Sequence, residues 1–255
     1  MVFAFMKLRG IDTSITKEQF IHSSVAGFLF LTVGNGLMCW SLQFLDSGFI
    51  SLLVATQPLV LLFMMWILQG LMPKFMSLIG CLLGILGMYL LLNQDAFNFD
   101  HNQVIGIGLC FVCLIAWGYA SLYVAKVDMP KSHFLNTAVQ MIVGGTLLFV
   151  VSFFVEDVSL DKLTQVTTIS YWSMAYLITF GSIITFTAFN YLLQHVSPEK
   201  VATSTYINPI VALFVGWYFR AELVTMQSIL AAFVLFIGVY FINTERFKRK
   251  KSYKT

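Results

Sequence analysis

Charge is scarce in this chain, since only 11% of its 255 residues are Asp, Glu, Lys or Arg. A typical soluble domain carries about 25% charged residues. Hydrophobic residues make up 58% of the chain, and its mean hydropathy is +0.83. A soluble chain of this length could not bury so much apolar surface. The composition therefore excludes a soluble domain and indicates an integral membrane protein.

The sequence patterns of several enzyme classes are also missing. No apolar run holds an aspartate, which an intramembrane aspartyl protease would require, and there is neither an HExxH zinc motif nor a glycine-rich phosphate loop. The four histidines stand at the ends of apolar runs or in loops, where they do not suit a serine hydrolase. We therefore expect no enzyme activity, no catalytic residue, no metal and no cofactor.

The four cysteines do not form the framework of a secreted, disulfide-rich protein, because all of them lie inside apolar runs. Cys110 and Cys113 make a single CxxC pair with no further ligand nearby. We interpret them as small residues that pack on one face of a helix.

Long apolar runs are what the chain has in place of charge. Eight stretches without Asp, Glu, Lys or Arg are long enough to cross a membrane as helices, namely residues 21–43, 48–68, 75–92, 104–125, 134–155, 171–194, 201–219 and 226–242. They lack the alternation of barrel strands, and backbone groups in lipid must be paired internally. The sequence thus predicts an all-α integral membrane bundle with eight complete transmembrane helices.

The distribution of Lys and Arg predicts the orientation of these helices. With the start of the chain in the cytoplasm, the inner segments hold 13 Lys and Arg residues and the outer segments hold 2. We therefore expect a multi-pass protein of a bacterial-type plasma (inner) membrane with a cytoplasmic C-terminus. The basic tail, residues 244–255, is interpreted as an anchor beside anionic lipid headgroups and not as a nucleic-acid site.

An internal repeat appears when the chain is shifted by 151 residues. Residues 28–92 then align with 179–243 without a gap, and the matched pairs include Pro58 with Pro209, Trp66 with Trp217, Gly87 with Gly238 and Tyr89 with Tyr240. The shift crosses five predicted helices, so the two copies have opposite orientations in the membrane. Inverted repeats of this kind are typical of secondary transporters, whose substrate site lies between the halves.

The same shift predicts how the repeats divide the chain. The helix at 134–155 would correspond to one that ends at position 4. We therefore interpret MVFAF as the tail of a second helix, with the first helix and most of the second absent. We expect residues 1–93 to form an incomplete first repeat, with the tail of helix 2 and helices 3–5. Residues 103–243 are expected to form a second repeat with helices 6–10. Residues 244–255 form the basic cytoplasmic tail.

Three segments carry a resemblance to a known family: GNGLMCWSLQFLDSGFISLLVATQPLVLLFMMWILQG, GLCFVCLIAWGYASLYVAK and VSPEKVATSTYINPIVALFVGWYFRAE. They resemble helices 3–4, 6 and 9 of an EamA-type transporter of the drug/metabolite transporter superfamily. The resemblance covers essentially the whole chain. It implies a ten-helix fold of two inverted repeats, a central cavity and the export of small metabolites. This chain departs from the pattern in lacking the first helix, which in the family helps to line the cavity.

Candidate site residues are uncharged polar or aromatic groups inside the predicted helices. Pro58, beside Gln57, and Pro209, beside Asn208, should kink their helices at matching positions and free backbone carbonyls toward a polar cavity. The full candidate set is Asn35, Thr56, Gln57, Pro58, Trp117, Tyr119, Tyr123, Gln140, Thr185, Asn190, Thr205, Tyr206, Asn208 and Pro209. The alternative is that these amides and aromatic rings only hold helices together.

The function predicted is export of small metabolites, such as amino acids, their analogues or small drugs, by alternating access. The expected partners are membrane lipids and a small-molecule substrate, with no nucleic acid, and association into a homo-oligomer is left open. The alternative is a non-transporting membrane partner or an inactive truncated fragment. Energy coupling also stays open, because no predicted span holds a charged residue.

Overall fold

The computed structural model describes residues 14–45, 50, 53–91, 101–155, 167–207, 211 and 226–244. Within these ranges the secondary structure is entirely helical, which confirms the predicted all-α class. The stub at residues 1–5, the basic tail after residue 244 and the pair Asn208–Pro209 lie outside the described residues.

The helices are α1 (Lys17–Ser41), α2 (Gln57–Gln69), α3 (Phe75–Leu91), α4 (His101–Val124), α5 (His133–Val155), α6 (Thr168–His195), α7 (Pro198–Ala202) and α8 (Met226–Thr244). Four of them, α1, α4, α5 and α6, are long and apolar enough to cross a membrane. Shorter apolar helices lie within α2, α3 and α8.

The two longest helices with matching positions in the repeat, α1 and α6, begin in the same way. The hydroxyl of Thr16 accepts a hydrogen bond from the backbone N–H of Gln19 at 3.2 Å, and the hydroxyl of Thr167 accepts one from the N–H of Ser170 at 3.3 Å. Both threonines stand at the N-cap with extended backbone, so each satisfies an N–H that the helix itself cannot pair. Thr16 and Thr167 are separated by the 151 residues of the repeat.

A second shared feature of α1 and α6 is a stretch of π-helix. It covers Phe28–Asn35 in α1 and Leu177–Ile184 in α6, eight residues in each case. The π-helix is rare and is found mostly as single turns inside α-helices, frequently at functional sites. The two stretches lie within two residues of equivalent positions, which agrees with the predicted repeat.

The chain divides into two compact units that do not coincide with the predicted repeats. Unit 1 comprises Met1–Phe44 and His101–Val201, and unit 2 comprises Leu45–Asp100 and Ala202–Thr255. Unit 1 therefore contains α1 from the first repeat together with α4, α5 and α6 from the second. Its apolar core includes Ala26 and Phe30 of α1, Ala120 of α4 and Leu193 of α6.

Unit 2 is built around the close packing of α3 on α8, which occupy matching positions in the repeat. A Cβ atom added at Gly80 would lie 2.7 Å from the carbonyl oxygen of Gly238, and one added at Gly238 would lie 2.8 Å from that of Gly80. Glycine at both positions thus lets the two backbones touch. The fully buried ring of Tyr206 packs against Gly84 in the same unit.

Pro58 does not kink a continuous helix, so the predicted kink at this position is wrong. Residues 53–54 are helical, residues 55–56 form a turn, and α2 begins at Gln57, which places Pro58 in the first turn of a new helix. The first-turn N–H groups have no partner inside a helix, so the absence of this group in proline costs nothing there. The predicted span at 48–68 is interrupted by the turn at residues 55–56.

Candidate functional site

A closed cluster of uncharged polar side chains lies at the centre of unit 1. It consists of Ser23 of α1, Asn136 and Gln140 of α5, and Asn190 of α6, all with no exposed surface. Gln140 Nε2 donates to Asn136 Oδ1 at 2.8 Å and to Asn190 Oδ1 at 3.0 Å, and Asn190 Nδ2 donates to Gln140 Oε1 at 3.2 Å. Ser23 Oγ donates to Asn136 Oδ1 at 2.9 Å. Three helices are therefore joined by direct bonds between side chains, which we call the amide cluster.

The close approach of α1 and α5 positions the amide cluster. A Cβ atom at Gly27 would lie 2.4 Å from the backbone oxygen of Gln140, and one at Gly144 would lie 2.4 Å from that of Gly27. One turn further along α1, Thr32 Oγ1 donates to the carbonyl of Gly144 at 2.9 Å. These contacts run along the start of the π-helical segment, so its path is fixed by backbone packing against α5.

Aromatic rings form a group beside the amide cluster. Phe30 lies with its ring centroid 4.8 Å from Trp117, 5.6 Å from Phe186 and 5.7 Å from Phe189. Trp117 is also 5.4 Å from Phe189, and its indole occupies the space that a Cβ atom at Gly34 would need. All of these pairs have the edge-to-face geometry that aromatic side chains prefer. The group links the π-helical segment of α1 to α4 and α6.

A histidine and a tyrosine bridge α1 and α4 near one end of unit 1. His22 Nδ1 and the hydroxyl of Tyr123 are 2.6 Å apart, and Tyr123 stacks on Tyr119 with ring centroids 6.4 Å apart. Tyr119 is 45% exposed, so the pair reaches from the helix interface to the surface.

In unit 2, a threonine hydroxyl bonds back to the chain beside each of two helix interruptions, at residues 55–56 and at residue 203. Thr56 Oγ1 donates to the carbonyl of Leu53 at 2.6 Å, and Thr205 Oγ1 donates to that of Ala202 at 2.9 Å. Each hydroxyl thus satisfies a carbonyl at a helix interruption, as expected where helices break inside a membrane protein. Gln57, directly after the first break, is 8% exposed.

The predicted site residues separate into the two units. Unit 1 contains Asn35, Trp117, Tyr119, Tyr123, Gln140, Thr185 and Asn190, and unit 2 contains Thr56, Gln57, Pro58, Thr205 and Tyr206. The structure brings Gln140 and Asn190 into direct contact. Thr185 instead donates at 2.7 Å to the carbonyl of Phe180 in its own helix, and Asn35 ends the π-helical segment of α1.

Sequence reasoning missed several residues of these groups: Ser23, Asn136, Phe30, Phe186 and Phe189. Asn136 could have been found, because it stands four residues before Gln140 on the same helical face. Ser23 and the phenylalanines carry no such signal, since serine and phenylalanine are common throughout the chain.

The chemistry of these groups is that of hydrogen bonding and aromatic contact. In the parts of the chain that the structure describes, no three His, Cys, Asp or Glu side chains gather where a metal could bind. The amide cluster offers donors and acceptors without a charge, and a ligand that reached it would compete with the existing bonds.

Both halves of the chain match one family of membrane proteins. The profile of the EamA-like transporter family matches residues 1–93 and again residues 104–244. This chain belongs to the EamA-like transporter family. The family and its named members are transporters, and the resemblance inferred from the three sequence segments is confirmed.

Individual members of the EamA family align over nearly the whole chain. The inner membrane transporter YedA of Escherichia coli is 28% identical over 97% of this chain and 78% of its own length. The transporter YoaV of Bacillus subtilis is 25% identical over 98% of this chain and 84% of its own length. A protein of E. coli named a probable amino-acid metabolite efflux pump is 24% identical over 97% of this chain and 79% of its own. The long apolar helices and these relatives make the chain a multi-pass membrane transporter.

A solved crystal structure shares the fold. It superposes with a TM-score of 0.73 over 94% of this chain and 82% of its own, at 14% sequence identity. At that identity the likeness concerns the arrangement of helices alone.

Proposed function

We propose that this EamA-family protein is a secondary transporter that exports small metabolites by alternating access between two inverted repeats. The observation that carries the proposal is the agreement of structural elements across the repeat. Thr16 and Thr167 cap α1 and α6, both helices contain an eight-residue π-helical stretch, and α3 and α8 occupy matching positions. Duplicated units of opposite orientation allow one protein to form two related conformations that open to opposite sides.

The membrane arrangement that we propose has eight complete helices after an N-terminal stub, with the C-terminus in the cytoplasm. The excess of Lys and Arg in the segments assigned to the inside supports this orientation. Reporter fusions after residues 128 and 160 test it. The fusion after residue 128 should be active only with a cytoplasmic reporter and the fusion after residue 160 only with a periplasmic one; the reverse pattern would contradict the orientation.

For the substrate class we propose amino acids, their analogues and small amphipathic drugs. The support is the lack of charge in the candidate set and the name of the E. coli relative, a probable amino-acid metabolite efflux pump. Gln57 and Asn208, which occupy matching positions beside the two prolines, are proposed to line the path.

Export of radiolabelled amino acids from cells that express the full chain tests the function. Gln57→Leu and Asn208→Leu should reduce export while membrane insertion is unchanged, and Gln43→Leu serves as the control because Gln43 is exposed. If the wild-type chain exports no amino acid, analogue or drug, the non-transporting alternative gains support. If export persists in both variants, these two residues do not belong to the path.

A further inference from the structure

A buried carboxyl group lies outside the groups described so far. Glu199, in the short helix α7, is only 2% exposed, and neither carboxylate oxygen has a hydrogen-bond partner in the structure. Glu18 and Asp128, the other acidic residues in the parts of the chain that the structure describes, are exposed, and Asp128 accepts a bond from Gln19 Nε2 at 2.9 Å. A carboxylate that is buried without a partner is unfavourable unless a cationic or hydrogen-bond-donating group reaches it.

The surrounding backbone holds Glu199 in place without satisfying its side chain. The backbone N–H groups of Lys200 and Val201 both bond to the carbonyl of Ser197, at 3.0 and 3.2 Å. Val201 belongs to the apolar core of unit 1, where it is grouped with Val124 and Leu193. The position of Glu199 is therefore set by the packing of its neighbours.

A hydrogen-bond donor without a partner, the side-chain amide of Gln194, lies five residues before Glu199 in the chain. The amide nitrogen of Gln194, in the last turn of α6, is buried and has no hydrogen-bond partner. His133 Nδ1, on α5, is also buried without a partner, and its ring lies 5.7 Å from that of His195. Buried polar atoms are normally paired with protein, water or a ligand, so each of these unpaired atoms calls for a partner, a donor for Glu199 and an acceptor for Gln194.

We propose that Glu199 and Gln194 form a receiving site for a zwitterionic solute that has a primary ammonium group and a carboxylate. The Glu199 carboxylate accepts from the ammonium group, and the Gln194 amide donates to the solute carboxylate. This inference rests on the proposed function, and with the orientation given above the site lies on the cytoplasmic side, where an exporter takes up its solute. Charge-assisted bonds of this kind are stronger than bonds between neutral groups and select for both ends of the solute.

Binding to the purified full chain in lipid nanodiscs tests the site with three probes of equal side chain: phenylalanine, phenethylamine and 3-phenylpropanoate. Glu199→Gln keeps the shape of the side chain and removes its charge. It should weaken binding of phenylalanine and phenethylamine by about tenfold or more, and it should not weaken binding of 3-phenylpropanoate, which has no ammonium group. Gln194→Leu should weaken phenylalanine and 3-phenylpropanoate and leave phenethylamine unchanged.

Glu18→Gln is the matched control, since it makes the same chemical change on an exposed side chain. Equal affinities of the Glu199→Gln and Glu18→Gln proteins for the probes would overturn the proposal. A wild-type protein that binds none of the three probes would also overturn it, and water would then be the partner of the buried polar groups. If Glu199→Gln does not fold, Glu199→Asp is the second variant, because it keeps the charge and shortens the side chain. It should weaken the binding of phenylalanine and phenethylamine and leave the binding of 3-phenylpropanoate unchanged. Unchanged affinities for all three probes would again overturn the proposal. Export of amino acids that is the same in the Glu199→Gln and Glu18→Gln proteins would reject this site while the transport function stands.

Discussion

Gln140 and Asn190 pair their side-chain amides in both directions, with each amide nitrogen donating to the oxygen of the other at 3.0 and 3.2 Å. The pair joins α5 to α6 in an interior where neither residue has exposed surface. Reciprocal amide bonds of this kind hold helices together in lipid, where apolar side chains give little preference for one neighbour over another.

Breaking this pair should destabilise unit 1. Asn190→Leu leaves the buried Gln140 Oε1 without its donor, and Gln140→Leu leaves Asn190 with only its bonds to the Phe186 carbonyl and to Asn136. We expect each variant to lower the unfolding free energy by roughly 1 to 3 kcal/mol. The double variant should lose less than the sum of the two, because the bonds between the two amides can be lost only once. Thermal unfolding in detergent measures the change, with the exposed Gln43→Leu as control. Additive losses would show that the two amides act independently.

The contact of α1 with α5 gives a prediction with a control on the same helix pair. Gly27→Ala places a methyl group 2.4 Å from the backbone oxygen of Gln140, which cannot move aside as a side chain would. The helices must separate, and we expect a loss of about 1 to 3 kcal/mol in stability. Gly145→Ala meets nothing within 4 Å and should be neutral or stabilising by roughly 0.5 to 1 kcal/mol, because alanine is the better helix former. Equal melting temperatures for the two variants would contradict this packing.

The capping threonines allow the repeat to be tested residue by residue. Thr16→Ala and Thr167→Ala each remove the acceptor of a first-turn N–H, so both should weaken the start of their helix by about 0.5 to 2 kcal/mol. Hydrogen exchange of the Gln19 and Ser170 amides measures this directly. Thr179→Ala is the control on α6, because its hydroxyl bonds to the carbonyl of Ala175 within the helix. If the amide exchanges faster in one variant and its exchange rate is unchanged in the other, the two caps are not equivalent.

Helix positions could be predicted where the absence of charge alone determines them. The apolar run at 134–155 became α5, His133–Val155, because a charged side chain within lipid is costly and so the run ends where charges begin. α1 starts at Lys17 and not at residue 21, because the Thr16 cap begins the helix before the apolar run does. The N-cap at Thr16 and the start of the apolar run at residue 21 predict different first residues for this helix, and the N-cap determines where the helix begins.

The contacts that make up the candidate site could not be predicted, because they depend on which helices become neighbours. Gln140 stands out in the sequence as a polar residue in an apolar helix, yet nothing in the sequence pairs it with Asn190, which follows 50 residues later. The charge of Glu199 places it between the predicted spans 171–194 and 201–219, and only the packing of α7 reveals that its carboxyl group is buried.

The interruption before α2 leads to a last prediction about Pro58. A proline in the middle of a helix would remove a hydrogen bond and cost about 3 kcal/mol, so replacing it there should stabilise the protein strongly. Pro58 stands instead in the first turn of α2, and we expect Pro58→Ala to change the unfolding free energy by less than about 1 kcal/mol. Leu61→Pro, one turn further into the same helix, removes an interior bond and a fully buried side chain, and should prevent stable folding. Thermal unfolding of both variants measures the contrast. A gain of several degrees in Pro58→Ala would mean that the helix runs through residues 55–56 and is bent by the proline.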